Sequence, residues 1–392
     1  MKVLEINVVC GIGSTGRICT DIAEILSTEG HECKIAYGRD LVPEKYKKYS
    51  IKIETDFGVN LHAINARIFD SAGFGSRKST QKFIKWIDEY NPDVIHIHNI
   101  HGYYLNIEIL FDYFKLSNKP VIWTLHDCWA FTGHSAYCGE CHKWMTGCDK
   151  CVNKLGYPRS YFSDAKKNWE KKKNVFCNVP NLVIVTPSDW LAKLVEKSFL
   201  NKYMIKVIKN GIDVKQFQKC ESNIRNKYDL GDKRILLGVA STWEERKGLR
   251  DFIQLSDKLD DDYKIILVGI SKKQEKILPN RILPIKRTNS IVELAELYSI
   301  AEVYLNFTYE DNYPTTNLEA LACGTPVITY KTGGSIESAA SSCIVEQGDL
   351  NKVAQIIKNK EYEFKEDLVL DKEHLLRNYL DLYQKVVKNN ED

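Results

Sequence analysis

Apolar residues alternate along the chain between short uninterrupted runs and helical periods, so that strand-like and helix-like segments follow one another. Residues 3–9 form an apolar run that predicts a strand, a glycine-rich turn follows, and Ile18, Ile22, Ile25 and Leu26 then recur at helical spacing. The same alternation predicts strands at 33–37, 94–98, 121–125 and 182–186, the signature of a parallel sheet with crossover helices. A second series starts after VIKNGID at 207–213, with strands expected at 235–240, 264–268, 303–306 and 327–329. Asn210-Gly211 is a turn signal between the two series and marks the boundary. The expected organisation is an amino-terminal domain over 1–206, a carboxyl-terminal domain over 207–372, and a last helix in 373–392. Leu375, Leu376, Tyr379, Leu380 and Tyr383 share one face of that helix, which predicts that it packs back across the boundary.

Length agrees with this reading, because 392 residues exceed one ordinary domain. A composition of 44% hydrophobic and 27% charged residues supplies buried cores and excludes a disordered chain. The formal charge of +3 gives no broad field for nucleic acid, so no nucleic-acid partner is expected. No run approaches the roughly 20 apolar residues of a membrane span, and the start lacks a signal peptide's apolar region, which points to the cytoplasm. Eight of the 12 cysteines are scattered singly. Cys138, Cys141, Cys148 and Cys151 instead form two C-x-x-C pairs within an insertion at 134–158, a spacing that suits a closed structural zinc site ahead of free thiols or a redox pair.

Two segments carry candidate chemistry. GIGSTG at 11–16 is a literal G-x-G-x-x-G between a strand and a helix. It reads equally as a tight turn, an acceptor contact through Gly13, Ser14 and Gly16, or a dinucleotide site whose acid would be Asp40. YEDNYPTTNLEALACGTPVITYKTGG at 309–334 is richer. Pro314 suits a helix start, Thr315 and Thr316 lie where backbone N–H groups lack intrahelical partners, and Glu319 falls on the same face. One face therefore suits a diphosphate near the helix start and a ribose hydroxyl pair at Glu319.

Asp311 and Glu319, separated by seven residues and followed by EALACGTPVIT and Gly333-Gly334, resemble the signature of the retaining glycosyltransferases of family 4. VTPSDWL at 185–191, VIKNGID and ERKG at 245–248 extend the resemblance over almost the full length. It implies a GT-B architecture: two α/β Rossmann-like domains with parallel sheets, facing each other across a cleft. It also implies Asp311, or Glu310 one position earlier, at the sugar and Glu319 at the ribose. Lys247, aided by Arg246 where Ser241 and Thr242 occupy the place of the family's usual Arg, would neutralise the leaving diphosphate without a catalytic metal. His126, ahead of Asp127 at the end of VIWTL, matches the His placed against the donor sugar, and Asn99 and His101 would line the acceptor side. His96 and His98 read as core residues. GFGS at 73–76, HNIHGYYLN and HDCWAFTGH are similar to enzymes of bacterial capsule and exopolysaccharide assembly. The resemblance thus implies a nucleotide-sugar donor, a saccharide or lipid-linked acceptor, and peripheral contact with the cytoplasmic membrane leaflet.

Two rival readings remain: an NAD(P)-dependent oxidoreductase using GIGSTG, and a non-catalytic zinc-stapled scaffold for polysaccharide assembly. KKNWEKKK at 166–173 is a basic helix candidate whose solvated face outweighs a membrane role.

Overall fold

A computed structural model describes residues 1–391 and divides into two compact units, Met1–Ile208 with Leu376 onward, and Lys209–Leu375. The first unit holds a seven-stranded sheet of β1 (Lys2–Asn7), β2 (Glu32–Tyr37), β3 (Ser50–Lys52), β4 (Val94–Ile97), β5 (Val121–Thr124), β6 (Leu182–Thr186) and β7 (Met204–Val207). Their order across the sheet is β3-β2-β1-β4-β5-β6-β7, and every pairing is parallel. The second unit has β8 (Arg234–Val239), β9 (Tyr263–Val268), β10 (Ile282–Ile285), β11 (Val303–Asn306), β12 (Val327–Tyr330) and β13 (Ile344–Val345). Their order is β10-β9-β8-β11-β12-β13, again all parallel. The α/β class expected from the sequence is what the chain adopts.

Both sheets reverse strand order beside their first strand, between β1 and β4 and between β8 and β11. In open α/β sheets the loops leaving the carboxyl ends of the strands at such a switch point bind ligands. Four strands absent from the sequence reading are β3, β7, β10 and β13, the two edges of each sheet. Interior strands such as β4, β5 and β6 are buried at every position and are mostly apolar, with His96 and Thr124 among the polar exceptions. The edge strands β3 and β7 have no buried residue and give no such signal.

One face of the first sheet is covered by the helix Gly13–Thr28 and by the last helix, Lys372–Glu391, whose Tyr379, Leu380 and Tyr383 join a core with Cys19, Ile22 and Val94. The helix Ala165–Phe176 keeps Lys166, Lys167 and Lys173 exposed, the solvated face expected of it, and turns its other face inward. Trp169 and Lys172 are buried, and Lys172 Nζ donates to the carbonyls of Trp129 and Thr132 at 2.8 and 3.1 Å, 3.5 Å from the Trp129 ring centroid. Burial lowers its pKa to about 7.

Candidate active site

In the second unit, β8 runs out into a single 3-10 turn, Glu245–Lys247, capped by Gly248 at φ 72°. A Cβ at that glycine would stand 2.3 Å from the Phe307 carbonyl, so only glycine lets the turn lie against the end of β11. Tyr309 N–H donates to the Arg246 carbonyl at 2.8 Å, binding the turn to the loop that follows β11. The result is a charge cluster. Lys247 Nζ lies 2.6 Å and Arg246 Nη1 3.7 Å from Asp311 Oδ2, and Arg246 also donates to the Glu310 carbonyl at 2.5 Å. Burial alone would raise the Asp311 pKa, but Lys247 and Arg246 outweigh it and hold the carboxyl below its usual range. Glu310 itself is buried.

Pro314 is the N-cap of the helix Thr315–Ala322 rather than a residue of its first turn. Asn317, Leu318, Ala320 and Leu321 face the core, which leaves Thr315, Thr316 and Glu319 on the partly exposed face. Glu319 Oε2 accepts from the Tyr298 hydroxyl at 2.9 Å. Gly333 stacks against the same loop, since a Cβ there would meet the Asp311 carbonyl at 2.0 Å, and Gly334 N–H donates to that carbonyl at 3.0 Å. Arg246, Lys247, Asp311 and Glu310 therefore meet at the carboxyl edge of β8 and β11, beside the helix that carries Thr315, Thr316 and Glu319.

Some supporting residues are absent from the sequence reading. Asn306 Nδ2 donates to Asn317 Oδ1 at 2.7 Å, Asn317 Nδ2 to Ser338 Oγ at 2.9 Å, and Thr329 Oγ1 meets Ser335 Oγ at 2.7 Å. This buried network ties the end of β11 to the start of the helix and to the turn after Gly334. Asp251 accepts from Tyr309 and Tyr330 at 2.9 and 3.0 Å and steadies the other wall. Paired amides and hydroxyls scattered along a sequence carry no spacing signal that would have found them.

In the first unit, His126 and Asp127 follow β5 and His98, Asn99 and His101 follow β4. His101 Nε2 is 2.8 Å from Asp127 Oδ2, and His98 Nδ1 is 3.0 Å from His126 Nε2. Burial, then His98, pushes the His126 pKa down to about 3, so its imidazole is neutral at neutral pH. Asn7 Nδ2 donates to Thr15 Oγ1 at 3.2 Å while its Oδ1 accepts from Asn99 N–H at 3.3 Å, joining the glycine loop to the loop after β4. Gly13 and Ser14 are exposed at the start of the helix Gly13–Thr28, and Gly16 is buried against Val9. Asp40, the acid of the dinucleotide alternative, faces Arg39 at 3.6 Å.

The four clustered cysteines are held in turns. Gly133 N–H donates to Cys148 Sγ at 3.2 Å, and burial raises that thiol to about 11. Among the described residues, no three of Cys138, Cys141, Cys148 and Cys151 bring their sulfurs within 4.8 Å of one another, so the structure does not gather them as a metal shell.

Residues 15–216 match the sequence model described as Glycosyltransferase Family 4, and residues 221–360 that of Glycosyl transferases group 1. The chain belongs to glycosyltransferase family 4. Over 98% of its length this transferase is 22% identical to WcaC of Escherichia coli (strain K12), a glycosyl transferase named for colanic acid biosynthesis, all of which is covered. Its fold is similar to that of sucrose-phosphate synthase from Thermosynechococcus elongatus, with a TM-score of 0.71 at 14% identity over 99% of both chains. Anabaena Alr3699/HepE in complex with UDP is another neighbour, with a TM-score of 0.63 at 15% identity over 100% of this chain and 98% of that one. The transferase thus has the GT-B fold expected from the sequence, and UDP is the ligand named for the Anabaena neighbour. These matches set aside the oxidoreductase and scaffold alternatives.

Proposed function

We propose that this transferase moves a sugar, with retention of anomeric configuration, onto a saccharide or lipid-linked saccharide acceptor in the assembly of a bacterial surface polysaccharide. The observation that carries the donor half is the Arg246–Lys247–Asp311 cluster beside the helix bearing Glu319. Two cations suit a departing diphosphate, and an acid one helical turn from two threonines suits a ribose. The bacterial relative named for colanic acid biosynthesis supports the polysaccharide setting. A thermal-shift screen of nucleotide sugars against NAD and NADP, followed by NMR of the linkage formed from the stabilising donor, tests the reading. An inverted linkage removes retention; stabilisation by nicotinamide cofactors alone removes the donor site.

Peripheral contact with an anionic membrane leaflet is part of this proposal, and its support lies away from the lysine-rich helix. On the helix Asp56–Phe69, Phe57, Leu61, Ile64 and Ile68 recur along one face at 77, 50, 51 and 40% exposure, and Phe69 extends the stripe. Exposed Tyr161 and Phe162 continue it, because Tyr161 N–H donates to the Arg67 carbonyl at 2.8 Å. Arg67 is exposed, Arg159 lies over the Tyr161 ring, and Lys154 Nζ donates to the Tyr161 carbonyl at 3.0 Å. An apolar stripe with a basic collar matches a bilayer containing acidic lipids. The full chain is expected to float with phosphatidylglycerol-containing vesicles but not with neutral ones, and Leu61→Ser/Ile64→Ser to weaken binding by about tenfold or more. Equal flotation of that double variant, or a dimer that the substitutions dissolve, overturns the membrane assignment.

A structural zinc in the cysteine insertion is likewise proposed, on the paired spacing and the N–H donated to Cys148. Binding would draw the four sulfurs together. Elemental analysis is expected to give about one zinc per chain, with a lower melting temperature after chelation; a metal-free preparation of equal stability removes it.

A further inference from the structure

Beneath the carboxyl edge of the first sheet lies a row of polar side chains where a sheet face normally carries apolar ones. β1 and β4 pair with Glu5 opposite His96, and the two-residue period puts Glu5, His96, His98, Thr124 and His126 on the face covered by the last helix. Glu5, His96 and Thr124 are 0% exposed and His98 1%. Such a row is costly unless every member is hydrogen-bonded. His96 is satisfied at both nitrogens, by the Tyr383 hydroxyl at 2.6 Å and by Thr124 Oγ1 at 2.7 Å, which in turn meets the Tyr379 hydroxyl at 3.2 Å. With both nitrogens so engaged, His96 is not disposed to ligate a metal with Glu5 and His98.

The remaining pair is informative. Glu5 Oε2 and His98 Nε2 are both buried without a hydrogen-bond partner, and they face each other at 3.4 Å. At 3.4 Å the two atoms do not yet meet in hydrogen-bond geometry, and a small shift of either side chain would let one proton serve both. The other groups turned toward Glu5 are the Tyr383 hydroxyl, which donates at 3.4 Å, the Cys19 thiol, which burial and Glu5 keep protonated, and His96 Nδ1 at 3.6 Å, whose hydrogen the Tyr383 oxygen takes when that hydroxyl donates to Glu5. A carboxylate that only accepts fits this ring of donors, and the shared proton then sits on His98 Nε2. A neutral imidazole carries a single N–H, so His98 Nδ1 is left as an acceptor. Its contact at 3.0 Å, His126 Nε2, must then donate.

We propose that Glu5 is a positioning residue for glycosyl transfer: acting through His98, it fixes His126 as the Nε2–H tautomer and leaves Nδ1 as that ring's acceptor. The chain of two bonds carries the polarity of a buried carboxylate to the loop where the transfer chemistry is assigned. It rests on the reading that His126 serves transfer. Tyr383 supports the same carboxylate, so the last helix takes part in setting the tautomer.

The test uses the full chain labelled with 15N-histidine, with the His126 signals identified by their loss in His126→Gln. The native protein is expected to show His126 protonated at Nε2 and unprotonated at Nδ1, and His98 likewise. In Glu5→Gln the Tyr383 and Cys19 donors claim the amide oxygen, so the NH2 group donates to His98 Nε2. The polarity then reverses, and the His126 proton moves to Nδ1. The turnover number kcat is expected to fall about tenfold or more while the donor KM stays within about twofold. A native His126 that carries its proton on Nδ1 overturns the proposal even if Glu5→Gln does not fold. So does a folded Glu5→Gln whose His126 tautomer is unchanged. If His126→Ala transfers sugar at the native rate, the assignment of His126 to the reaction fails, and the spectrum still decides the tautomer separately.

Discussion

Replacing Lys247 with Ala is expected to lower glycosyl transfer by about 10²-fold or more in a protein that remains folded, the scale seen when a group that strengthens in the transition state is removed. Lys247 is part-exposed on a one-turn helix and its ammonium contacts Asp311 at 2.6 Å, so truncation leaves no buried cavity. What it removes is charge. Arg246 stays 3.7 Å from Asp311 and is anchored on the Glu310 carbonyl, so it compensates in part. Lys247→Arg is expected to recover only part of the loss, because a planar fork does not place its charge where a compact ammonium does. The measurement is release of nucleoside diphosphate under saturating donor. Unchanged turnover in Lys247→Ala removes the residue from the reaction.

Glu319→Gln is expected to weaken binding of the free nucleoside diphosphate by about 1.5–3 kcal/mol, roughly 10- to 100-fold, by replacing a charge-assisted acceptor with a neutral one. Tyr298 holds one carboxylate oxygen at 2.9 Å. Tyr298→Phe is therefore expected to produce a smaller loss, about 0.5–1.5 kcal/mol, by loosening the carboxylate without removing it. Asp311→Asn should behave differently. Its charge is held by Lys247 and Arg246, and on the proposed assignment of Asp311 to the sugar side of the donor, turnover should fall more than affinity for a nucleotide that lacks the sugar. Calorimetric titration of the free nucleoside diphosphate into both variants decides. Normal binding by Glu319→Gln with weak binding by Asp311→Asn would reverse the assignment.

Fold class and the face of the donor-side helix were legible along the chain because each depends on local spacing, and the family was legible through the resemblance of its motifs. The nine interior strands announced themselves as apolar runs since both of their faces are buried, whereas the four edge strands, half-covered and short, did not. The face of the helix Thr315–Ala322 that carries Glu319 follows from the 3.6-residue period alone. Which cation meets which acid did not, because Lys247 and Asp311 stand 64 positions apart and only the sheet order brings β8 beside β11. The lysine-rich segment shows the same limit: period and charge predicted a solvated face, which Lys166, Lys167 and Lys173 form, and only packing against Trp129 singles out Lys172 as buried. His96 and His98 were readable as core residues, yet their link to Glu5, His126 and Tyr383 joins strands and a helix up to 378 positions apart. Local physics determines elements and faces; hydrogen-bond polarity and charge pairing arise only where tertiary structure closes long loops and removes the water that would otherwise satisfy those groups.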